Sequence, residues 1–211
     1  MALTTLQLNI DNKPLETHIQ NFIDSSNERI VAYLTKDIKA RAPRYVPCDS
    51  EAVYRALQFI FNEAIAPGDK FCEWGSGLGA VTSLASIIGF DAIGIECEEE
   101  LVNEATALAD EFNLSSTFVC DDFVPNGFEY SSDGKGDASA LTESSLLPSE
   151  QLGRDDIFQN EFEIDEFDII YAFPWPGEQG LVSDLFDATA SEDTLLVTYC
   201  QTGGVVVERK C

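Results

Sequence analysis

The sequence predicts an α/β fold built on a mainly parallel sheet, and three observations support this prediction. Short apolar segments alternate with longer amphipathic segments from residue 70 onward, as strands alternate with helices in this class. The apolar segments are nearly continuous, which is typical of parallel strands covered on both faces. A final pair, "TLLVTYC" and "VVVERK", flanks the turn sequence "QTGG" and indicates an antiparallel hairpin. With 211 residues, 45% of them hydrophobic, the chain is long enough for one domain with a complete core.

Two helical segments precede the predicted sheet. Between residues 15 and 40, apolar residues recur at spacings of three, four and seven, which predicts one or two amphipathic helices. A further helix is predicted in "SEAVYRALQFIFNEAI", with Asp49 or Ser50 as its candidate cap. We assign residues 1–66 to an N-terminal helical extension and residues 67–211 to the main domain.

The main domain begins with "PGDKFCEW", a turn followed by a short strand that ends near Trp74. The segment "AVTSLASIIG" predicts a helix that ends at Gly89, and "DAIGIE" predicts the second strand. A helix with acidic residues in its first turn follows, then strands in "STFVCD" and "FDIIYAFPWP" and a helix in "LVSDLFDATA". Residues 124–166 are acidic and rich in small polar residues, so we expect a mobile acidic insert there.

The net charge of −26 limits the partners that the protein can attract. An acidic surface repels phosphate backbones, so we expect a cation, a basic protein or a neutral small molecule rather than nucleic acid. Six scattered cysteines without a CxxC pair and a single histidine predict no metal site. The N-terminus does not have the pattern of a signal peptide and no segment has the length of a membrane span, so we expect a cytoplasmic protein.

The segment "FCEWGSGLG" places three glycines directly after the first strand of the main domain. Glycines there allow the backbone to approach a ligand closely, and the next helix offers unpaired N–H groups to an anionic group such as a carboxylate. Glu73 adds a negative charge, which suits a zwitterion. Glu96 ends the second strand nineteen residues after Gly77, within reach of a ribose diol, and Asp121 could accept a hydrogen bond from an adenine amino group.

These features resemble the class I S-adenosylmethionine-dependent methyltransferases. "EWGSGLG" is similar to the acidic-x-Gly-x-Gly-x-Gly loop of that family, "IGIE" to its second-strand acid and "FVCDDF" to its adenine-side acid. The resemblance covers about residues 67–176 and implies a Rossmann-like three-layer sandwich that binds S-adenosyl-L-methionine. The residues that it implies for cofactor binding are Glu73, Gly75, Ser76, Gly77, Gly79, Glu96, Asp121 and Asp122, the last as a rival of Asp121 because the end of that strand is uncertain.

The fourth strand leads into "YAFPWPGEQ", where this family handles its methyl acceptor. Amino-methylating relatives that act on bases or glutamine often carry Asp/Asn-Pro-Pro-aromatic there, whereas Phe173 occupies the Asp/Asn position and Trp175 replaces a proline. The group that would accept a hydrogen bond from a planar amino group is therefore absent, which argues against adenine or cytosine as the acceptor. Because aromatic faces attract cations, we expect instead an amine acceptor, either a protein side chain or a small cationic molecule. The candidate acceptor-binding residues are Tyr171, Phe173, Pro174 and Trp175, and the candidate catalytic residues are Glu178, as a proton acceptor, and Trp175.

Three other interpretations are compatible with the sequence. Gly75, Gly77 and Ala80 satisfy the relaxed G-x-G-x-x-A spacing of NAD-dependent oxidoreductases, although Glu73 is oddly placed beside a pyrophosphate. A non-catalytic module could bind the same nucleoside. In a third interpretation the site has no ligand: the glycines form only a tight turn, and Glu96 and Asp121 are solvated acids at the strand ends.

Overall fold

A single seven-stranded sheet forms the centre of the protein. The computed structural model describes residues 3–36, 45–124, 164–175, 177–200 and 203–211. The strands are β1 (Leu3–Leu6), β2 (Lys70–Trp74), β3 (Asp91–Glu96), β4 (Thr117–Cys120), β5 (Ile169–Ala172), β6 (Leu195–Cys200) and β7 (Gly204–Lys210). The helices are α1 (Thr17–Leu34), α2 (Ser50–Asn62), α3 (Ala80–Ile88), α4 (Glu99–Glu111) and α5 (Gln179–Thr189), with a 3-10 turn at Ile164–Glu166.

The strands follow the order β1-β7-β6-β5-β2-β3-β4, in which β6, β5, β2, β3 and β4 are parallel. The strand β7 pairs antiparallel with β6, which confirms the predicted C-terminal hairpin. From β2 the chain moves first to β3 and β4 on one side, and later to β5 and β6 on the other. The order therefore reverses between β2 and β5, and the carboxyl ends of both strands lie at the same edge of the sheet.

Helices cover both faces of the sheet, as the continuous apolar strands predict. On one face, Leu57 of α2 and Val81 of α3 pack against Phe71 and Tyr171. The helix α1 lies outside this layer and buries Phe22 against residues of α3 and α4. On the other face, α5 packs against side chains of β2, β5 and β6 that include the fully buried Trp74. Two helical layers around one sheet give the predicted three-layer sandwich.

The sequence signals for two helix ends are confirmed. Asp49 precedes α2, and its carboxylate accepts a hydrogen bond of 3.0 Å from the amide of Ala52, so it satisfies one of the free N–H groups of the first turn. Gly89 ends α3 with a φ of 122°, a conformation that favours glycine over residues with a side chain.

The strand β1 was not predicted from the sequence. It pairs antiparallel with β7, with Leu3 opposite Lys210 and Leu6 opposite Val207, so part of the predicted helical extension belongs to the central sheet. A four-residue segment is too short to carry a clear strand signal of its own, and the pairing joins opposite ends of the chain. The region predicted as one or two helices contains one described helix, α1.

Most of the predicted acidic insert, residues 125–163, lies outside the described residues, as do residues 37–44. The boundary at residue 66 stays a prediction. Within the described ranges, no helix combines the length and apolar character that crossing a bilayer requires.

Candidate functional site

Two connections leave the sheet where the strand order reverses. One is the glycine loop, residues 75–79, between β2 and α3, and the other is the segment Phe173–Glu178 between β5 and α5. Trp74 and Ala172, which end the two strands, lie opposite each other in the register. Ligands of open α/β sheets bind beyond the carboxyl ends of the strands at such a point, so these connections define the candidate site.

Each glycine of the loop has a left-handed backbone conformation, with φ of 77° at Gly75, 52° at Gly77 and 75° at Gly79. At Gly79 a side chain is excluded by packing as well, because an added Cβ would lie 2.6 Å from the Cβ of Ala105 and from the ring of Phe118. At Gly75 an added Cβ would meet nothing within 4 Å, so the backbone there borders open space.

Hydrogen bonds hold the glycine loop against β3. The amides of Gly75 and Ser76 both donate to the carbonyl of Ile95 at 2.9 Å, and the amide of Gly79 donates to the carbonyl of Ser76 at 2.8 Å. The Ser76 hydroxyl is buried without a hydrogen-bond partner among the described residues, and it lies close to the α-carbon of Gly94 on β3. The loop is therefore fixed before any ligand binds.

Glu73 lies below the loop and interacts with α3. Its carboxyl group accepts hydrogen bonds from the amide of Thr82, at 2.8 Å, and from the hydroxyl of the same residue. Its side chain is 5% exposed, and this burial raises its pKa from 4.5 to about 8, with a smaller contribution from Glu96 and an opposing one from Thr82. In this arrangement Glu73 caps the first turn of α3, in addition to its predicted role beside the cofactor.

Glu96 joins the end of β3 to the glycine loop. One carboxylate oxygen accepts a hydrogen bond of 2.9 Å from the amide of Gly77, and the other accepts one of 3.1 Å from the amide of Glu98. A carboxylate oxygen can accept more than one hydrogen bond, so these contacts leave capacity for a ribose hydroxyl. The predicted ribose acid is thus next to the predicted nucleotide loop, as the spacing of nineteen residues required.

Asp121 and Asp122 follow β4 at the same edge. The amide of Asp121 donates to the carbonyl of Glu96 at 3.0 Å, so the ends of β3 and β4 are held together. The Asp121 carboxylate accepts from the amide of Asp122, and the Asp122 carboxylate accepts from the amide of Val124. Burial raises the pKa of Asp122 to about 6, and Asp121 adds to this effect. The register places Cys120, not Asp121, at the end of β4.

The predicted acceptor-binding residues differ in exposure. Tyr171 and Pro174 are buried, and Phe173 packs edge-to-face against Tyr199 with ring centroids 5.3 Å apart. Trp175 is 38% exposed, so part of its ring faces solvent at the mouth of the site. Tyr171 therefore belongs to the core, whereas Trp175 is accessible to an incoming molecule.

Glu178 is buried at the start of α5 and closes the turn after β5. Its carboxylate accepts a hydrogen bond of 3.0 Å from the amide of Trp175, and its own amide donates to the Trp175 carbonyl at 2.9 Å. The side chain therefore fixes the backbone of Trp175. This contact gives Glu178 a structural role beside the predicted role as proton acceptor.

Two further residues reach the site from the segment before α2, and neither was among the predicted site residues. The ring of Tyr45 lies against Gly77, since a Cβ on that glycine would be 2.5 Å from the ring. The thiol of Cys48 lies near Tyr171, and its burial raises its pKa to about 12. The only sequence signal for these contacts is an aromatic residue in the proline-containing break between two helices.

The sheet order, with the glycine loop at its reversal point, gives a Rossmann-like α/β fold. The comparison with solved structures agrees. A methyltransferase from Geobacter sulfurreducens is 10% identical in sequence and superposes with a TM-score of 0.52 over 95% of this chain and 93% of that chain. The fold implied by the sequence resemblance is therefore confirmed, at a level of identity that concerns the fold alone.

Other similar structures superpose less closely. An RNA methyltransferase from Salinibacter ruber in complex with S-adenosyl-L-homocysteine is 17% identical, with a TM-score of 0.49 over 78% of this chain and 92% of that chain. A magnesium protoporphyrin IX methyltransferase from Synechocystis PCC 6803 with bound S-adenosylhomocysteine is 15% identical, with a TM-score of 0.45 over 86% and 70%. The sequence matches no protein-family profile and no curated protein.

Proposed function

We propose that the protein is an S-adenosylmethionine-dependent methyltransferase that transfers a methyl group to an amine. The observation that carries this proposal is the glycine loop with its neighbouring acids. Open space borders Gly75, and three buried acids lie at that edge of the sheet: Glu73 is one residue before the end of β2, Glu96 ends β3 and Asp121 follows β4. Acids suit an ammonium group and a ribose diol.

The residues present fit this donor. In the proposed arrangement, Glu73 and the glycine loop with Ser76 hold its methionine part, and Glu96 holds the ribose. Asp121 or Asp122 faces the adenine. Asp121 is the more buried of the two.

The chemistry requires little from the protein beyond position. The donor supplies an electrophilic methyl group, and the acceptor nitrogen must present a free electron pair in line with it. Holding two reactants at attack distance can lower a barrier by roughly 7–11 kcal/mol. The rigid loop and the turn fixed by Glu178 are suited to this role, because both are held by short hydrogen bonds within the protein.

The acceptor side favours a cationic or amine-bearing molecule. Trp175 offers a partly exposed ring, Phe173 beside it is half-buried, and the chain carries a net charge of −26. An aromatic face attracts a cation by about 0.5–2 kcal/mol, and the negative protein attracts it from a distance. Among the candidate acceptors, a protein amine and a small cationic molecule meet these conditions. Methyl transfer to RNA would be the contrasting result of the test.

A proton must leave an ammonium acceptor before it can attack, and Glu178 is our candidate to accept it. Glu178→Gln keeps an oxygen that can accept from the Trp175 amide, whereas Glu178→Ala removes it. If Glu178 accepts the proton, the kcat of the glutamine variant falls and the pH dependence of its activity changes. The melting temperature of this variant stays near that of the wild type. If the role is structural, the glutamine variant is active and the alanine variant is destabilised.

Calorimetric titration with S-adenosylhomocysteine and with NAD tests the proposal directly. We expect S-adenosylhomocysteine to bind and NAD not to bind. Glu96→Ala should weaken binding by at least about tenfold, as expected for the loss of hydrogen bonds to a charged group. Asp91→Ala is the matched control, because Asp91 lies at the opposite end of the same strand and is exposed.

The outcomes separate the alternatives. Binding of NAD alone would make the protein an oxidoreductase candidate and refute the proposal. Binding of S-adenosylhomocysteine without methyl transfer to a set of basic peptides, small amines and RNA would favour a non-catalytic module. Transfer to RNA alone would retain the methyltransferase and overturn the amine acceptor.

A further inference from the structure

The ring of Tyr45 is part of the wall beside the glycine loop. A Cβ on Gly77 would lie 2.5 Å from its Cε2 atom and 3.0 Å from its Cδ2 atom, so the ring touches the loop backbone at a point where only glycine fits. Tyr45 is half-buried, which leaves part of the ring accessible. The contact brings a residue from the segment before α2 to the region proposed for the methionine part of the donor.

On α1, Tyr33 packs against the ring of Tyr45. The two rings meet edge-to-face, with centroids 5.5 Å apart and an interplanar angle of 85°. The ammonium group of Lys36 lies 4.8 Å from the Tyr33 centroid and pairs with Glu100 of α4 at 2.8 Å. These contacts fix the aromatic pair against two helices, which is the preorganisation that a binding site needs.

Two acidic residues, Glu73 and Glu96, act on the Tyr45 hydroxyl. Burial raises the pKa of its hydroxyl well above the usual value, and the nearby Cys48, Glu73, Tyr33 and Glu96 raise it further. Glu73 and Glu96 are the acids on either side of the glycine loop. An aromatic face has a negative π-system, so this ring attracts a positive charge.

We propose that Tyr45 recognises the positive charge of the methyl donor and distinguishes S-adenosylmethionine from its neutral product, S-adenosylhomocysteine. This inference rests on the proposed function. The sulfonium group of the donor is a cation, and the thioether that remains after methyl transfer is neutral. A ring that attracts the cation therefore favours the donor before the reaction and contributes less to binding after it.

Calorimetry on Tyr45 variants tests this role, with the ratio of the two affinities as the readout. Tyr45→Phe keeps the ring and should change that ratio less than twofold. Tyr45→Leu removes the aromatic face and should weaken S-adenosylmethionine binding by about 2- to 30-fold more than S-adenosylhomocysteine binding, the range that cation–π contacts give.

The control is Phe61→Leu. Phe61 also packs its ring on a left-handed glycine, Gly89, with a Cβ distance of 3.1 Å, and meets Phe90 edge-to-face at 5.1 Å. This arrangement lies at the other end of α3, so the variant should leave both affinities unchanged.

Fluorinated phenylalanines at position 45 keep the shape of the ring while they reduce its negative face. They provide the test if the leucine variant does not fold. S-adenosylmethionine affinity should fall with each added fluorine, whereas S-adenosylhomocysteine affinity should stay constant.

Equal losses for both ligands in Tyr45→Leu, or no trend in the fluorinated series, would overturn the role of Tyr45 and leave the proposed function intact. A gain in affinity for both ligands would show that the ring blocks the site, and would also overturn it. Absence of binding by the wild type to either ligand would instead refute the proposed function on which this inference depends.

Discussion

Replacing Glu73 with glutamine should change the way in which stability depends on pH. The Glu73 carboxyl group is buried below the glycine loop, and its pKa is raised from 4.5 to about 8. The folded protein therefore holds this proton more tightly than the unfolded chain does. When a group binds its proton more tightly in the folded state, the free energy of unfolding falls as the pH rises between the two pKa values.

The size of this effect follows from the shift. One pKa unit corresponds to about 1.4 kcal/mol, so a rise of three pH units, from 5 to 8, should lower the contribution of Glu73 to stability by about 4 kcal/mol. Glutamine has no such titration and keeps an oxygen that can accept from the amide and hydroxyl of Thr82. The variant should therefore gain stability relative to the wild type by about this amount between pH 5 and pH 8.

Urea denaturation of both proteins at a series of pH values measures the difference. Other acids of the chain also titrate, but they do so in both proteins, so the difference between the two profiles isolates position 73. Glu28→Gln is the control, because Glu28 is exposed on α1, and its profile should follow the wild type. Parallel profiles for the wild type and Glu73→Gln would refute the conclusion that a buried proton at Glu73 contributes to stability.

Two glycines of the loop should respond differently to substitution by alanine. Gly79→Ala should lower the free energy of unfolding by more than about 3 kcal/mol, because the new Cβ would overlap with Ala105 and Phe118 and the backbone would be strained. A melting temperature equal to that of the wild type would contradict this. Gly75→Ala should lower the free energy of unfolding by only about 1–2 kcal/mol, because its backbone is left-handed but its Cβ meets nothing within 4 Å. It should nevertheless reduce the affinity for S-adenosylhomocysteine at least about tenfold. If calorimetry shows an unchanged affinity, Gly75 is not part of the site.

The parts of the fold that were predicted correctly are those encoded by neighbouring residues. Asp49 is followed at once by an amphipathic helix, and Gly89 comes directly after another, so both helix ends are visible in the sequence. The sequence "EWGSGLG" requires a loop with positive φ angles, and each of its three glycines has one. These features can be recognised from neighbouring residues alone, without information on contacts between distant parts of the chain.

Other features depend on residues that are far apart in the chain. The strand β1 exists because it pairs with β7, and Leu3 lies opposite Lys210. Tyr45 meets Gly77 only because the chain between them folds α2 back against the sheet. No local pattern encodes either contact, which is why sequence reasoning missed both.

The acids of the candidate site show a second limit of sequence reasoning. A strand-end acid was interpreted as a ligand-binding group, yet Glu73, Glu96 and Glu178 each also accept a hydrogen bond from a backbone amide of the protein. These carboxyl groups therefore position the loop and the turn that they were predicted to assist. Substitution by alanine removes both contributions at once, whereas glutamine keeps an acceptor oxygen and removes only the ionisable group. A comparison of the two substitutions at each position separates the charge that a ligand requires from the hydrogen bond that the fold requires.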